Sequence, residues 1–279
     1  VVCRRQRQMC IRDRYMGKRC AEDDEESIRS KLNDGDIIFV IAGMGGGTGT
    51  GSAPVIAKYA KETDAVVVGV AILPFKEEGL PRRKVALEGL AELKKNCDCV
   101  IELDNEKLNE LTGGDYPIQK AFSVMSDLVS GIVQSLSEVV TEPSMINVDF
   151  ADLKKIIEAG GTAKVLYGES DGSDPGSVLD SVLGNPLLGN NYKGAEAVLL
   201  HIAAGSEFAM SDCHEVLSAL KYDLAEDANL IWGLRTDDSM STKVKVVMLV
   251  SAIPESEHDL STEAEDELNS LGSSLPMIN

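Results

Sequence analysis

Positive charge is what this sequence most lacks: 27 lysines and arginines stand against 46 aspartates and glutamates, a net charge of −19. That balance disfavours nucleic acid and anionic membrane surfaces as direct partners. Aromatic residues are few, at 4%, with a single tryptophan, yet a hydrophobic content of 43% over 279 residues is ample for one large or two modest cores. No apolar run approaches the ~20 residues of a membrane span, and no secretory h-region is present, so direct membrane insertion is not expected. Histidine is scarce: His201, His214 and His258 are scattered, and none makes a case for catalysis. The cysteines (Cys3, Cys10, Cys20, Cys97, Cys99 and Cys213) have the irregular spacing of reduced, cytosolic thiols. Cys97-Asp98-Cys99 is half of a metal site that no second pair or nearby histidine completes, so no metal-ligating cluster is expected.

What the sequence does have is glycine in one place. Gly43-Met44-Gly45-Gly46-Gly47-Thr48-Gly49-Thr50-Gly51 follows an apolar run at 36–42 and precedes a helix-like segment that begins near Ser52. A strand that breaks into glycines and then opens a helix suits phosphate, because the backbone comes close and the first N–H groups of the helix point at the anion. Thr48, Thr50 and Ser52 add hydroxyl donors, and Pro54 fits a first helical turn. Two familiar phosphate loops fail here. The P-loop needs lysine after its last glycine, where Ser52 stands, and the dinucleotide fingerprint started at Gly43 meets Thr48 at its third glycine.

Around this turn the pattern alternates. Strands at 36–42, 65–72 and 99–103 are nearly continuous apolar runs, as parallel strands covered on both faces read. Helices are expected at 53–62 and 82–95. The class is therefore α/β: a doubly wound parallel sheet with its ligand at the carboxyl ends of the strands. A long helix over 116–141 has apolar residues at helical spacing and stops at Glu142-Pro143. A smaller α/β unit follows, with helices at 151–159 and 212–221 and strands at 163–167, 197–203, 228–234 and 244–252. A loop rich in glycine, serine, aspartate and proline runs to Pro175. In Asn147-Val148-Asp149-Phe150-Ala151-Asp152, two carboxylates three residues apart at a helix start lie near one face, an arrangement that also caps the helix.

The segment Gly45–Gly51 resembles the GGGTGTG loop of tubulin-type GTPases, and with its flanks the chain resembles the FtsZ family of prokaryotic tubulin-like GTPases from about Gly17 to about Pro254. The resemblance implies a tubulin-like fold: a GTP-binding domain at 17–139 that carries the central helix, and a C-terminal domain at 140–254 with the catalytic loop at its start. It implies GTP or GDP and Mg²⁺ as cofactors, with Gly45, Gly46, Gly47, Thr48, Gly49, Thr50 and Gly51 on the phosphates. Glu78 and Arg82 would contact the nucleotide, Arg83 competing for the inward position, and Asn105 would reach the ribose, although it also reads as a helix N-cap. Phe122 would stack on the base and Asp127 would accept from guanine N1–H and its 2-amino group, donors that adenine does not offer. Ser126 stands where the family often has asparagine.

The same resemblance implies that Asn147, Asp149 and Asp152 enter the nucleotide site of the next subunit, so that the chain polymerises with itself and hydrolyses GTP between subunits. A cytoplasmic role at the mid-cell division site follows, with control of cell shape as the alternative. Residues 1–16, rich in arginine and without periodicity, read as a leader foreign to the family. Residues 255–279 are acidic and read as a disordered tail whose apolar end, Leu275-Pro276-Met277-Ile278, suits docking to a membrane-tethering protein. No counterpart of the family's first glycine loop is found in residues 1–35. The sheet is thus expected to be incomplete, with the strand at 36–42 as an open edge and GTP binding weak or absent.

Overall fold

The computed structural model describes residues 13–32, 35–112, 117–159, 163–170, 175–185 and 192–253. The chain divides between residues 109 and 110 into two compact units, each with its own sheet.

The first unit runs α1 (Arg14–Asp23), α2 (Glu25–Leu32), β1 (Ile37–Gly43), α3 (Gly47–Lys61), β2 (Val66–Leu73), α4 (Leu80–Lys94), β3 (Cys99–Asp104) and the start of α5 (Asn105–Thr112). Its three strands are parallel in the order β1-β2-β3, with Gly43 opposite Ile72 and Leu73 opposite Asp104. The valines of β2 and its one alanine, Ala71, are buried, as a central strand clothed on both faces requires. Ala57 and Ala60 of α3 and Ala86, Leu90 and Leu93 of α4 pack with Val67 and Val100 to form the core. On β1, which is an edge of this sheet, Ile41 is 49% exposed.

Two expectations are corrected here. The glycines at 47, 49 and 51 are the opening turns of α3, and Pro54 is the eighth residue of that helix, not a first-turn residue. Glycine is a poor helix former, but at positions 49 and 51 close approach demands it. A Cβ on Gly51 would lie 2.1 Å from the Arg14 carbonyl oxygen, and one on Gly17 would lie 2.2 Å from that of Gly47. The two helices therefore cross backbone to backbone. The second correction concerns the leader. Asp13 caps α1 by accepting from Tyr15 N–H, and Arg14 pairs with Glu88 at 3.0 Å and Glu92 at 3.4 Å, so residues 14–16 belong to the folded unit.

The second unit runs α6 (Ile118–Thr141), α7 (Phe150–Glu158), β4 (Lys164–Ser170), α8 (Pro175–Leu183), β5 (Ala197–Ala204), α9 (Met210–Asp223), β6 (Asn229–Thr236) and β7 (Val244–Ser251). The strand order is β4-β7-β5-β6; β5 and β6 are parallel, and β7 runs antiparallel to both of its neighbours. Strand β5 is buried along its whole length. Helix α8, which the sequence does not announce, contributes Val178, Leu179 and Val182 to the core beside Val216 and Leu220 of α9. Two fixtures tie α6 to this sheet: Gly131, whose added Cβ would meet the Tyr167 hydroxyl at 2.5 Å, and Glu138, which pairs with Arg235 at 3.1 Å. The tail at 255–279 lies outside the described residues.

Candidate functional site

Beyond Gly43 the chain turns sharply. Met44 N–H is tied back to the Ile72 carbonyl at 2.8 Å, and Gly45 adopts φ +89°, a region that only glycine enters freely. Gly45 N–H donates to Thr50 Oγ1 at 2.8 Å, which closes the turn onto α3. Thr50 is 1% exposed, so its hydroxyl shapes the turn instead of meeting a ligand, contrary to the donor role expected of it. Ser52 Oγ likewise donates to the Thr48 carbonyl, whereas Thr48 itself is exposed. Gly46 is the N-cap of α3, extended and without a side-chain acceptor, so the N–H groups of the first turn have no side-chain cap. A Cβ on Gly43 or Gly46 would meet nothing within 4 Å. Packing accounts for Gly45, Gly49 and Gly51; at these two it leaves open space over a positive helix end, the setting in which anions bind.

The side chains around this space have separate tasks. Arg82 leans over the turn, its Cγ only 2.7 Å from where a Cβ of Gly45 would be, and pairs with Glu78 at 2.7 Å. Glu78 also accepts from Phe75 N–H at 3.1 Å. Arg83 is buried and grips Asp104 with two hydrogen bonds of 3.1 and 2.7 Å. Arg83 is thus committed to locking α4 to the end of β3, and Arg82 remains half-exposed at the turn. Asp104, not Asn105, caps α5, accepting from Glu106 N–H at 3.0 Å. Asn105 is 7% exposed, and its Oδ1 lacks a hydrogen-bond partner among the described residues. A buried acceptor left unmatched is costly, and it sits at the carboxyl end of β3, in line with the glycine turn after β1.

In the second unit, Phe122 is half-exposed on α6, and Asp127 is exposed and accepts from Ser123 Oγ at 3.3 Å. Ser126, the departure noted in the sequence, donates to the Phe122 carbonyl at 2.8 Å. Asp149 is the N-cap of α7 and accepts from Asp152 N–H at 2.8 Å. The sequence missed Lys155, whose Nζ lies 3.0 Å from Asp152 and lowers the pKa of that carboxyl; the i, i+3 spacing was the available signal. Asn147 accepts from Ser144 N–H at 2.9 Å, which rounds the loop ahead of α7. The structure thus gathers the glycine turn, Glu78, Arg82 and Asn105 at one end of the first sheet, and in the second unit Asn147 and Asp149 in one loop with Asp152 in the first turn of α7 that follows it. Among the described residues no group of three histidines, cysteines or acids has a metal-binding arrangement. Cys97 and Cys99 are buried, and burial pushes the Cys97 thiol up to about 12.

A model of the Tubulin/FtsZ family GTPase domain matches residues 8–113, and one of the FtsZ family C-terminal domain matches residues 161–254. The first match begins inside the stretch read as a foreign leader. Cell division protein FtsZ 2 of Methanocaldococcus jannaschii is 40% identical over 242 residues, 85% of this chain and 63% of that protein. FtsZ 2 of Haloferax volcanii is also 40% identical, over 86% of this chain and 60% of its own length. The chain thus spans 60–63% of these curated relatives. Among solved structures, the empty FtsZ dimer of M. jannaschii superposes with a TM-score of 0.79 at 34% identity, over 88% of this chain and 71% of that one. GDP-bound monomeric CetZ1 of H. volcanii, at 21% identity and a TM-score of 0.75 over 94% of this chain and 79% of that one, shares the fold.

Proposed function

The chain belongs to the Tubulin/FtsZ family, and from that premise we propose that it is a GTP-binding, GTP-hydrolysing subunit that assembles head to tail into filaments of the division ring. The observation that carries this reading is the side-chain-free N-terminus of α3, capped by Gly46 and overhung by Arg82, at the carboxyl end of β1. Amides and one guanidinium are what a protein of net charge −19 needs in order to hold a polyphosphate. Asn105 Oδ1, buried and unmatched, supplies an acceptor suited to a ribose hydroxyl. Phe122 stacks on the base, and the Asp127 carboxylate selects guanine by accepting from N1–H and the 2-amino group. Asn147, Asp149 and Asp152 act on the nucleotide of the adjacent subunit, where they orient water against the γ-phosphate. Lys155 keeps Asp152 ionised for that task. Two exposed or half-exposed carboxylates and an amide are the hard-oxygen set that Mg²⁺ accepts when phosphates and water complete its shell; bound there, the ion would neutralise charge developing on the transferred phosphoryl group.

Self-association is supported by the likeness to a dimeric FtsZ at 34% identity. Relatives at 40% identity bear the division name, whereas the 21% likeness to CetZ speaks for the fold alone, so division is preferred to control of cell shape. The site of action is the cytoplasmic face of mid-cell, and residues 255–279 dock membrane-tethering partners. No described helix is long and apolar enough to cross a membrane. GTP-dependent light scattering of the purified chain, lost with Asp152→Ala, is the test, and scattering at low GTP would also overturn the expectation that this chain binds GTP weakly or not at all. Scattering that ignores GTP sinks the proposal, and depletion in cells without filamentation sinks the division role.

A further inference from the structure

Along the acidic loop, exposure alternates. Asn147 and Asp149 are exposed, while Val148 between them is 5% exposed. The segment is pinned to the edge strand β6 by a reciprocal pair of hydrogen bonds, Ile146 N–H to the Leu234 carbonyl and Leu234 N–H to the Ile146 carbonyl, each 3.1 Å. Beside that bridge is Gly233. A Cβ there would lie 2.8 Å from Val148 Cγ2, 3.0 Å from His201 Cδ2 and 3.0 Å from the Ile146 carbonyl oxygen. Gly233 has no left-handed φ to excuse it; it is glycine because Val148 and the imidazole edge occupy its side-chain space. His201 is directly opposite Gly233 in the β5–β6 register. It is 2% exposed, and its Nε2 has no hydrogen-bond partner among the described residues, so its edge serves as a wall and not as a polar link. The charged groups near it, Glu138 of α6 and Arg235 of β6, are paired with each other.

The geometry points to Gly233 and His201 as positioning residues for the acidic loop. Gly233 leaves a socket, the imidazole edge of His201 closes it, and Val148 fills it, so that Asn147 and Asp149 are held outward on either side of a fixed peg. Neither positioning residue touches nucleotide; each acts through Val148. This inference rests on the proposal that the loop serves GTP hydrolysis, but the socket itself is measurable without GTP.

The test uses the full chain with Gly233→Ala, followed by hydrogen exchange in the 144–152 peptide and by GTP turnover. The added methyl evicts Val148. Exchange over 144–152 should quicken about tenfold while β5 and β7 keep wild-type rates. The kcat of turnover should fall roughly tenfold or more with KM unchanged, since displacement of acting groups by about 1 Å is that costly. Adding Val148→Ala to Gly233→Ala vacates the contested volume and should restore part of both. Should Gly233→Ala fail to fold, Val148→Ala alone empties the socket and should quicken the same peptide. Unchanged exchange over 144–152, or equal quickening across the whole second unit, overturns the inference. Absence of turnover in the wild-type chain strikes the proposed function instead and leaves the exchange result to decide the socket.

Discussion

Adjacent arginines on α4 show how differently one residue type serves when its surroundings change. Arg83 and Asp104 are 10% and 12% exposed at their side chains, so truncating Arg83 strands a carboxylate that has been withdrawn from water. Arg83→Ala should cost about 3–5 kcal/mol in urea unfolding, the range for breaking one side of a buried pair. Arg82→Ala, at an exposed pair with Glu78, should cost under about 1 kcal/mol and weaken GTP binding instead. Equal destabilisation by the two substitutions would contradict this division of labour. His201 offers a pH-dependent counterpart. Burial, with help from Arg235, lowers its pKa from 6.5 to about 4. The folded state thus resists a proton that the unfolded chain accepts, so this contribution is intact above pH 6.5. It erodes as pH falls from about 6.5 towards 4 and changes no further below that. The loss is on the order of 3 kcal/mol at 1.36 kcal/mol per pH unit, and His201→Asn should flatten that portion of the stability–pH curve. A variant that keeps the wild-type slope would assign the loss to other groups.

At the scale of elements, apolar runs made β1, β2, β3 and the last three strands legible, and helical spacing of apolar residues did the same for α6. The start of α3 was not legible. Five glycines and threonines read as loop by propensity, and only the crossing with α1 explains why helix forms there. The two-way choice between Arg82 and Arg83 could not be read either, since it depends on how α4 is rotated against the end of β3. Helix α8 hid behind Pro175-Gly176-Ser177, which resembles a breaker although proline is at home in a first turn. The residue types of the candidate site were visible, but the inward turn of Thr50 and the passing of the capping task from Asn105 to Asp104 needed coordinates. The α1–α3 crossing itself invites a test. Gly51→Ala puts a methyl 2.1 Å from a backbone oxygen, which cannot rotate away as a side chain would. Overpacking of this kind costs about 1–3 kcal/mol, and here it should lever α1 outward. Cys20, buried on α1, should then react with a thiol reagent by peptide mapping while Cys97 and Cys99 stay protected. Protection of Cys20 equal to wild type would mean that the two helices do not depend on glycine for their approach.

For the molecule as a whole, the proposed chemistry is divided between two cores. The phosphate-facing turn belongs to a sheet of three parallel strands, and the acidic loop belongs to a mixed four-stranded sheet with α6, α7, α8 and α9 around it. The second core is closed on its own terms. Strand β5 is buried throughout, α8 and α9 pack with Leu200, Ile202 and Met248, and α7 is fastened by the Ser251 hydroxyl, which donates to the Ile156 carbonyl. A segment of this length falls within the ordinary size of a domain, and α6 brings it a buried stripe of Leu128, Ile132, Leu136 and Val139. Residues 110–254 produced alone should therefore fold and melt cooperatively. The single tryptophan makes this simple to follow, because Trp232 packs against that core from β6, next to the socket that holds Val148. Its emission maximum in the fragment should match that of the full chain, and its unfolding midpoint should shift by no more than a few degrees. A fragment with fully solvated tryptophan emission in buffer would show that the cooperative unit extends across residue 109, and that the acidic loop depends on the first unit for its shape.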